Sequence, residues 1–378
     1  MGETLAFPGL GLEYTLNRVA FTIGPVTIYW YGIIIALAFL AGISYALYRV
    51  KSFGLDGDRV IDVVIGGAIG GIIGARIYYV AFSWDQFKDD PIRIFMTWQG
   101  GIAIYGGIIG AFLAGLLMCK IRGVKFLPML DLAVGGMILG QAIGRWGNFV
   151  NIEAFGGNTT LPWGMTSPAI TNYLSEHMKG LNALHMEIDP TLPVHPTFLY
   201  ESIWCLLGFI AIALYTNRRR FDGELLLIYT AWYGLGRSVI EGLRTDSLLL
   251  GTIRISQLVA VLCVLGALVA WVTVRSKIHR SADPDYLRLY VETEEGQSIL
   301  AGTFYPKKGE KKAVAQEESA ETASTSEHAE SAGETAVPAG EAEELAGPAE
   351  EKESGEESQT QEAAGEPSEA SEEEDKPL

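Results

Sequence analysis

Apolar runs of about twenty residues recur along the first three quarters of the chain, near 26–48, 60–82, 101–119, 128–146, 198–216, 223–241 and 253–274. A helix needs about 20 residues to cross the hydrocarbon core of a bilayer. A soluble core helix rarely stays apolar on every face for that length. The pattern predicts an all-α membrane protein, a bundle of about seven transmembrane helices. Glycines recur every four positions inside the runs, as at Gly66, Gly70 and Gly74, at Gly106 and Gly110, and at Gly136, Gly140 and Gly144. Small residues at that spacing let helix backbones approach closely in lipid.

The polar positions between the runs set an orientation. Arg49, Lys51 and Arg59, then Lys120, Arg122 and Lys125, then Arg218, Arg219 and Arg220, then Arg275, Lys277 and Arg280 occupy alternate connections. They share one side, and the positive-inside rule makes that side cytoplasmic. The N-terminus is then outside. The long connection from about 149 to 197, with five prolines, reads as a small external head. The N-terminus lacks a basic region before its first apolar run and carries Glu3, Pro8 and Glu13, so it does not read as a secretory signal.

Charge then divides the chain. From Tyr305 to Leu378 there are 22 acidic residues against 6 lysines, while the first 304 residues are close to neutral. The acidic stretch has no aromatic after Tyr305 and cannot bury enough apolar surface to offset the entropy of ordering. We divide the chain into a transmembrane region over 1–280 and a cytoplasmic tail over 281–378, disordered from about 305. Cys119, Cys205 and Cys263 lie in or beside apolar runs with no CxxC pair, and read as buried structural thiols with no metal site. Nothing points to a nucleic-acid partner.

Charged groups in a span cost about 2.5–3.5 kcal/mol each on insertion scales unless they face a wet or paired interior. Asp62, Arg76, Asp131, Arg145, Glu201, Arg237 and Glu241 are such groups. Asp62 and Asp131 fall at inner ends, where a snorkelling or helix-start role suffices. Arg76, Tyr105, Arg145, Glu201, Arg237 and Glu241 all fall near the outer leaflet. Tyr233, Arg237, Glu241 and Arg244 are spaced to share one helical face. The densest constellation is GRWGNFVNIEAFGG at 144–157, where Arg145, Asn148 and Asn151 share a face if the helix continues. A planar guanidinium with amides and exposed backbone N–H groups suits a phosphate ester.

That segment resembles the signature of the prolipoprotein diacylglyceryl transferases, G-R-x-G-N-F-x-N-x-E-x-x-G, at every fixed position from Gly144 to Gly156. IYWYG at 28–32, HPTFLYE at 195–201 and YGLGRSVIEGLR at 233–244 agree in order, so the resemblance covers roughly 20–275. It implies transfer of the diacylglyceryl group of phosphatidylglycerol to the lipobox cysteine of a prolipoprotein, releasing glycerol 1-phosphate. It also implies no metal or organic cofactor, and a site at the outer face of the bacterial plasma membrane.

On that basis Arg145 is assigned to the phosphate, with Asn148 and Asn151 at the lipid headgroup and Arg237 as a second phosphate or glycerol contact. Glu153 is expected to orient Arg145 or bind headgroup hydroxyls, and Glu241 to orient Arg237. Tyr29 and Tyr233 are hydroxyl donors, and Gly156 belongs to the substrate-binding set. The family often carries a histidine before the Gly-Gly of the third span, a proposed base. Here Tyr105 stands there, and its pKa near 10 makes it a poorer base. The base is therefore open between Tyr105, His195, Glu153 and Glu201, or the arginines alone activate the thiol. A transporter is disfavoured, because no internal repeat with a midplane site is visible.

Overall fold

The computed structural model describes residues 2–305, apart from 98–99, 184–185, 246–248, 251–252 and 284. The acidic stretch expected to be disordered lies outside the described residues.

The chain starts with two antiparallel hairpins that hydropathy did not reveal. β1 (Glu3–Phe7) pairs with β2 (Leu12–Leu16), and β3 (Val19–Ile23) pairs with β4 (Val26–Tyr29). The first apolar run was expected to be helical from residue 26. Instead Val26, Thr27, Ile28 and Tyr29 form β4, as β-branched and aromatic residues favour after the left-handed Gly24 turn. The helix α1 begins at Trp30 and ends at Arg49.

Five further long helices follow: α2 (Gly57–Phe82), α3 (Ile104–Arg122), α4 (Phe126–Asn151), α6 (Thr197–Tyr215) and α8 (Ile255–Arg280). Together with α1, these six are long and apolar enough to cross a membrane. The run at 223–241 forms a shorter helix, α7 (Glu224–Ile240), of 17 residues. The fold is thus a multi-pass helical membrane protein, nearly all-α, with six clear spans and α7 packed between α6 and α8. α2 packs on α3 and α1 on α4 through the small-residue stripes. A Cβ at Gly42 would come within 2.8 Å of the Gly136 carbonyl oxygen, so those backbones are in contact.

The basic connections meet at one end. Arg49 donates to Asn217 Oδ1 at 2.7 Å, Arg219 donates to the Ser52 carbonyl at 2.6 Å, and Arg59 donates to the Arg122 carbonyl. Asp131, at the start of α4, is buried and accepts from the Gly223 and Leu226 amides at 2.8 and 2.9 Å. It caps the start of α7, satisfying donors that a helix N-terminus leaves unpaired. Asp62 pairs with Arg122.

Residues after α8 return to this same end. The Tyr290 amide donates to Asp222 Oδ2 at 2.7 Å, Lys125 pairs with Glu295 at 2.9 Å, and the Tyr305 hydroxyl donates to the Gly123 carbonyl at 3.1 Å. Tyr290 and Ile299 are buried in the same apolar cluster as Phe53 and Leu55. The short helix α9 (Glu294–Leu300) carries Ile299, and Thr293 caps it.

The opposite end carries the head. It is built from two stretches of sequence, since β1 pairs with Thr166 through Ala6, with bonds of 2.9 and 2.8 Å. Leu5 and Phe7 join Ile152, Phe155, Met165 and Val194 in one apolar cluster with Ile170 and Leu174 of α5 (Pro168–Ala183). Of the three thiols, Cys119 and Cys205 are buried as expected. Cys263 is exposed, because it lies on an outward face of α8.

Candidate active site

At the head end of the bundle, three guanidinium groups converge on one carboxylate. Glu201 lies in the second turn of α6. Its Oε2 is 2.5 Å from Arg145 Nη2 of α4, and its Oε1 is 3.2 Å from Arg237 Nη1 of α7. Arg244 joins the same Oε1 at 3.3 Å. Arg237 also pairs through Nη2 with Glu241 Oε2 at 2.6 Å. α7 stops at Ile240 and a tight turn over Glu241–Leu243 follows, so Arg244 reaches Glu201 from extended backbone rather than from a continued helical face.

Burial within the cluster is uneven. The Glu201 and Glu241 side chains are 5% and 2% exposed, whereas Arg145 and Arg237 are 20% and 22% exposed. The carboxylates sit behind and the guanidiniums keep an open side. Arg145 and Arg237 thus turn part of their cationic surface outward. A buried carboxylate survives only when paired and hydrogen-bonded, and here it also fixes the planar donors in place.

The second half of the site is the end of α4. Ile152 and Ala154 adopt left-handed backbone at φ 53° and 56° without being glycine. Such residues cost of order 1–3 kcal/mol each and persist where their surroundings hold them. The turn folds Glu153 back, so its amide donates to the Asn148 carbonyl at 3.0 Å. Its Oε1 accepts from the Asn148 and Asn151 amides at 2.9 and 3.3 Å. Arg18 donates to the Asn151 carbonyl at 2.9 Å. Arg18, Tyr29, Tyr31, Gly32, Asn151 and Glu153 line a cleft of about 630 Å³. Asn148, three residues from Arg145 on α4, bonds to Glu153, which lines the cleft, and so links the cleft to the arginine cluster.

Gly156 stitches the two halves together. Its amide donates to the His195 carbonyl at 2.9 Å, and Gly157 donates to the Leu243 carbonyl at 2.8 Å. A Cβ at Gly156 would come within 2.8 Å of the His195 Cβ and 3.0 Å of the Leu243 carbonyl oxygen, so only glycine fits between the start of α6 and the end of α7. His195 contacts the Tyr200 hydroxyl through Nδ1 at 3.1 Å, and burial lowers its pKa, which keeps the ring neutral at neutral pH.

The family model described as prolipoprotein diacylglyceryl transferase matches residues 18–273. The chain belongs to this family. It is 40% identical over 262 residues to the phosphatidylglycerol–prolipoprotein diacylglyceryl transferase of Clostridioides difficile strain 630, covering 69% of this chain and 97% of that protein. It is 44% identical over 281 residues to the enzyme of that name from Nostoc sp. strain PCC 7120, covering 72% and 95%. With the Staphylococcus haemolyticus enzyme of that name it shares 43% over 268 residues, covering 70% and 91%.

The signature of the prolipoprotein diacylglyceryl transferases, Gly144 to Gly156, thus runs from the arginine cluster to the strained turn. Arg145, Arg237 and Glu241 come together as expected, and Asn148, Asn151 and Glu153 form the adjoining group. Of the two roles expected for Glu153, orienting Arg145 falls to Glu201 instead, while Glu153 holds the two asparagines. The left-handed turn folds Glu153 back onto Asn148 and Asn151. Tyr29 lines the cleft, while Tyr233 stacks on Tyr229 at 5.7 Å and packs against the bundle core. Tyr105 is half exposed on α3 and, among the described residues, shares no hydrogen bond with the cluster. Arg76 stands apart from the cluster: it donates to the carbonyls of Arg93, Ile94, Gly100 and Gly101 and anchors the α2–α3 connection. Arg18 escaped sequence reasoning, because it lies outside any span and contributes through the backbone of Asn151.

Proposed function

We propose that the arginine cluster on Glu201, with the adjoining cleft at the end of α4, is the centre at which this chain transfers the diacylglyceryl group of phosphatidylglycerol to prolipoprotein. The single observation that carries the reading is the convergence of Arg145, Arg237 and Arg244 on one buried carboxylate. The acceptor is the thiol of the lipobox cysteine. Its sulfur attacks the glycerol carbon that bears the phosphate ester. A carbon–sulfur bond forms, the carbon–oxygen bond breaks, and the oxygen leaves with its electron pair on glycerol 1-phosphate. Negative charge grows on the phosphate oxygens as that bond breaks. Donors already fixed in place stabilise such charge without reorganising, and usually supply the largest share of rate enhancement.

Arg145 and Arg237 then receive the phosphate, while Glu201 and Glu241 hold their planes. Asn148, Asn151 and Glu153 take the headgroup glycerol, with Tyr29 beside it in the cleft. A free thiol has a pKa near 8.5, and a cationic field favours the thiolate. His195 is a second candidate for the thiol proton. As a neutral base with a lowered pKa, it would lose activity only as pH falls below the ordinary histidine range near 6.5. The basic connections supply the orientation: the end where they meet faces the cytoplasm, and the head and N-terminus face outward from the bacterial plasma membrane.

The test is incubation of the purified protein with phosphatidylglycerol and a lipobox peptide. Glycerol 1-phosphate release with a peptide heavier by one diacylglyceryl unit is expected. Tyr105→Phe and His195→Ala, assayed in parallel, identify the base. If both keep full activity, neither is the base.

A further inference from the structure

α6 and α7 carry the same short pattern, a tryptophan followed four residues later by a glycine: Trp204 and Gly208 on one, Trp232 and Gly236 on the other. The helices run antiparallel, and the two patterns interlock. The Trp204 indole donates from Nε1 to the Trp232 carbonyl at 2.9 Å, and the Trp232 indole donates from Nε1 to the Trp204 carbonyl at 2.9 Å. The rings stack with centroids 4.5 Å apart and planes 18° from parallel. A Cβ at Gly236 would overlap the Trp204 indole nitrogen, and one at Gly208 would overlap that of Trp232.

Each part has a physical reason. A helix carbonyl has a second lone pair, but the side chain four residues on covers it. Glycine at that position uncovers the carbonyl and admits the ring. An indole N–H inside a span needs a partner, because lipid offers none. If these positions only filled space, the reciprocal hydrogen bonds and matched notches would have no purpose.

The lock also sets register. Trp204 faces Gly236 and Gly208 faces Trp232, so each step along α6 is matched by a step back along α7. Glu201, three residues before Trp204, therefore faces residue 239, midway between Arg237 and Glu241. A slide of one residue, about 1.5 Å, would break both hydrogen bonds and drive an indole against a Cβ. We propose that Trp204 and Trp232 are positioning residues for the transfer reaction, acting as one unit that holds Glu201 in register with Arg237. This rests on the reading of the Glu201 cluster as the catalytic centre.

The experiment measures steady-state transfer from phosphatidylglycerol micelles to a lipobox peptide by Trp204→Phe, Trp232→Phe and the double variant, with Tm for each. Phenylalanine keeps a ring and removes only the donor and some area. Displacement of a reacting group by about 1 Å can cost about 100-fold, so kcat should fall about tenfold or more with KM for the lipid unchanged within about twofold. Because the pair acts as a unit, the double variant should be no slower than the slower single. Gly236→Ala, which crowds the same contact from the other side, should reproduce the fall. A kcat within about twofold of the unaltered protein, with or without a lower Tm, overturns the proposal, as does a loss carried by KM. Glu201→Gln separates the layers. If it is inactive while the tryptophan variants keep kcat, the lock alone fails. If it is fully active, the assignment of the centre fails.

Discussion

Both ends of the bundle bury carboxylates, and they spend them differently. At the basic end, Asp131 accepts the Gly223 and Leu226 amides at the start of α7. Glu224 is fully buried there; it accepts from the Arg220 amide, the Tyr215 hydroxyl and the Trp271 indole and, among the described residues, pairs with a single guanidinium, that of Arg275, at 3.5 Å. Those bonds close a loop and cap a helix. At the head end, Glu201 gathers three guanidiniums from α4, α7 and the segment after it, and two of them, Arg145 and Arg237, keep an open side. Burial of charge alone does not separate structure from chemistry. What separates them is how many guanidiniums share one carboxylate. Span arginines differ as well, since Arg76 commits four of its five N–H donors to backbone carbonyls.

Substitutions that cost activity at one end and stability at the other test this contrast. The largest effect is expected for Glu201→Gln, which keeps the shape and removes the charge opposite three arginines. Transfer should fall by at least about 100-fold, the scale of losing preorganised donors. Breaking a buried charge group by removing one partner costs about 3–5 kcal/mol, so Tm should fall as well. Truncation after residue 285 comes next, because it removes buried Tyr290 and Ile299. Fully burying such side chains contributes about 1.5–3 kcal/mol each, so Tm should drop clearly while kcat holds in protein that remains folded. Asp131→Asn should cost about 1–3 kcal/mol, measured by thermal unfolding in detergent, with kcat unchanged, because a cap loses charge and one acceptor. The smallest effect is expected for truncation after Tyr305, which removes only the acidic stretch and should move neither Tm nor kcat. A Glu201 variant that only loses stability, or an Asp131 variant that only loses kcat, would break the contrast.

Legibility in the sequence followed the range of the interaction. The spans were readable because each is a property of about twenty consecutive residues. The boundary at Trp30 was not, since a short apolar run such as Val26–Tyr29 suits a strand as well as a helix. The apolar run of α7 is legible, but its end at Ile240 is not, since Glu241 and Gly242 follow it without a strong stop signal. Arg145, Arg237 and Glu241 were readable as charges that lipid would not tolerate, and the signature added Asn148, Asn151 and Glu153. Glu201 was visible as a charge at the right depth, but not as the hub. Its role depends on the register of α6 against α7, which no local pattern states. The partnership of Glu153 depended on two left-handed residues, Ile152 and Ala154, that neither composition nor spacing announces.

The central claim is that fixed guanidinium planes receive the departing phosphate. Arg145→Lys tests it most directly, because lysine keeps the charge and loses the planar fork. The measurement is the rate of glycerol 1-phosphate release at saturating phosphatidylglycerol and lipobox peptide, with Tm recorded beside it. A fall of about 100-fold or more with Tm held is the predicted result. Release at close to the unaltered rate would contradict the account.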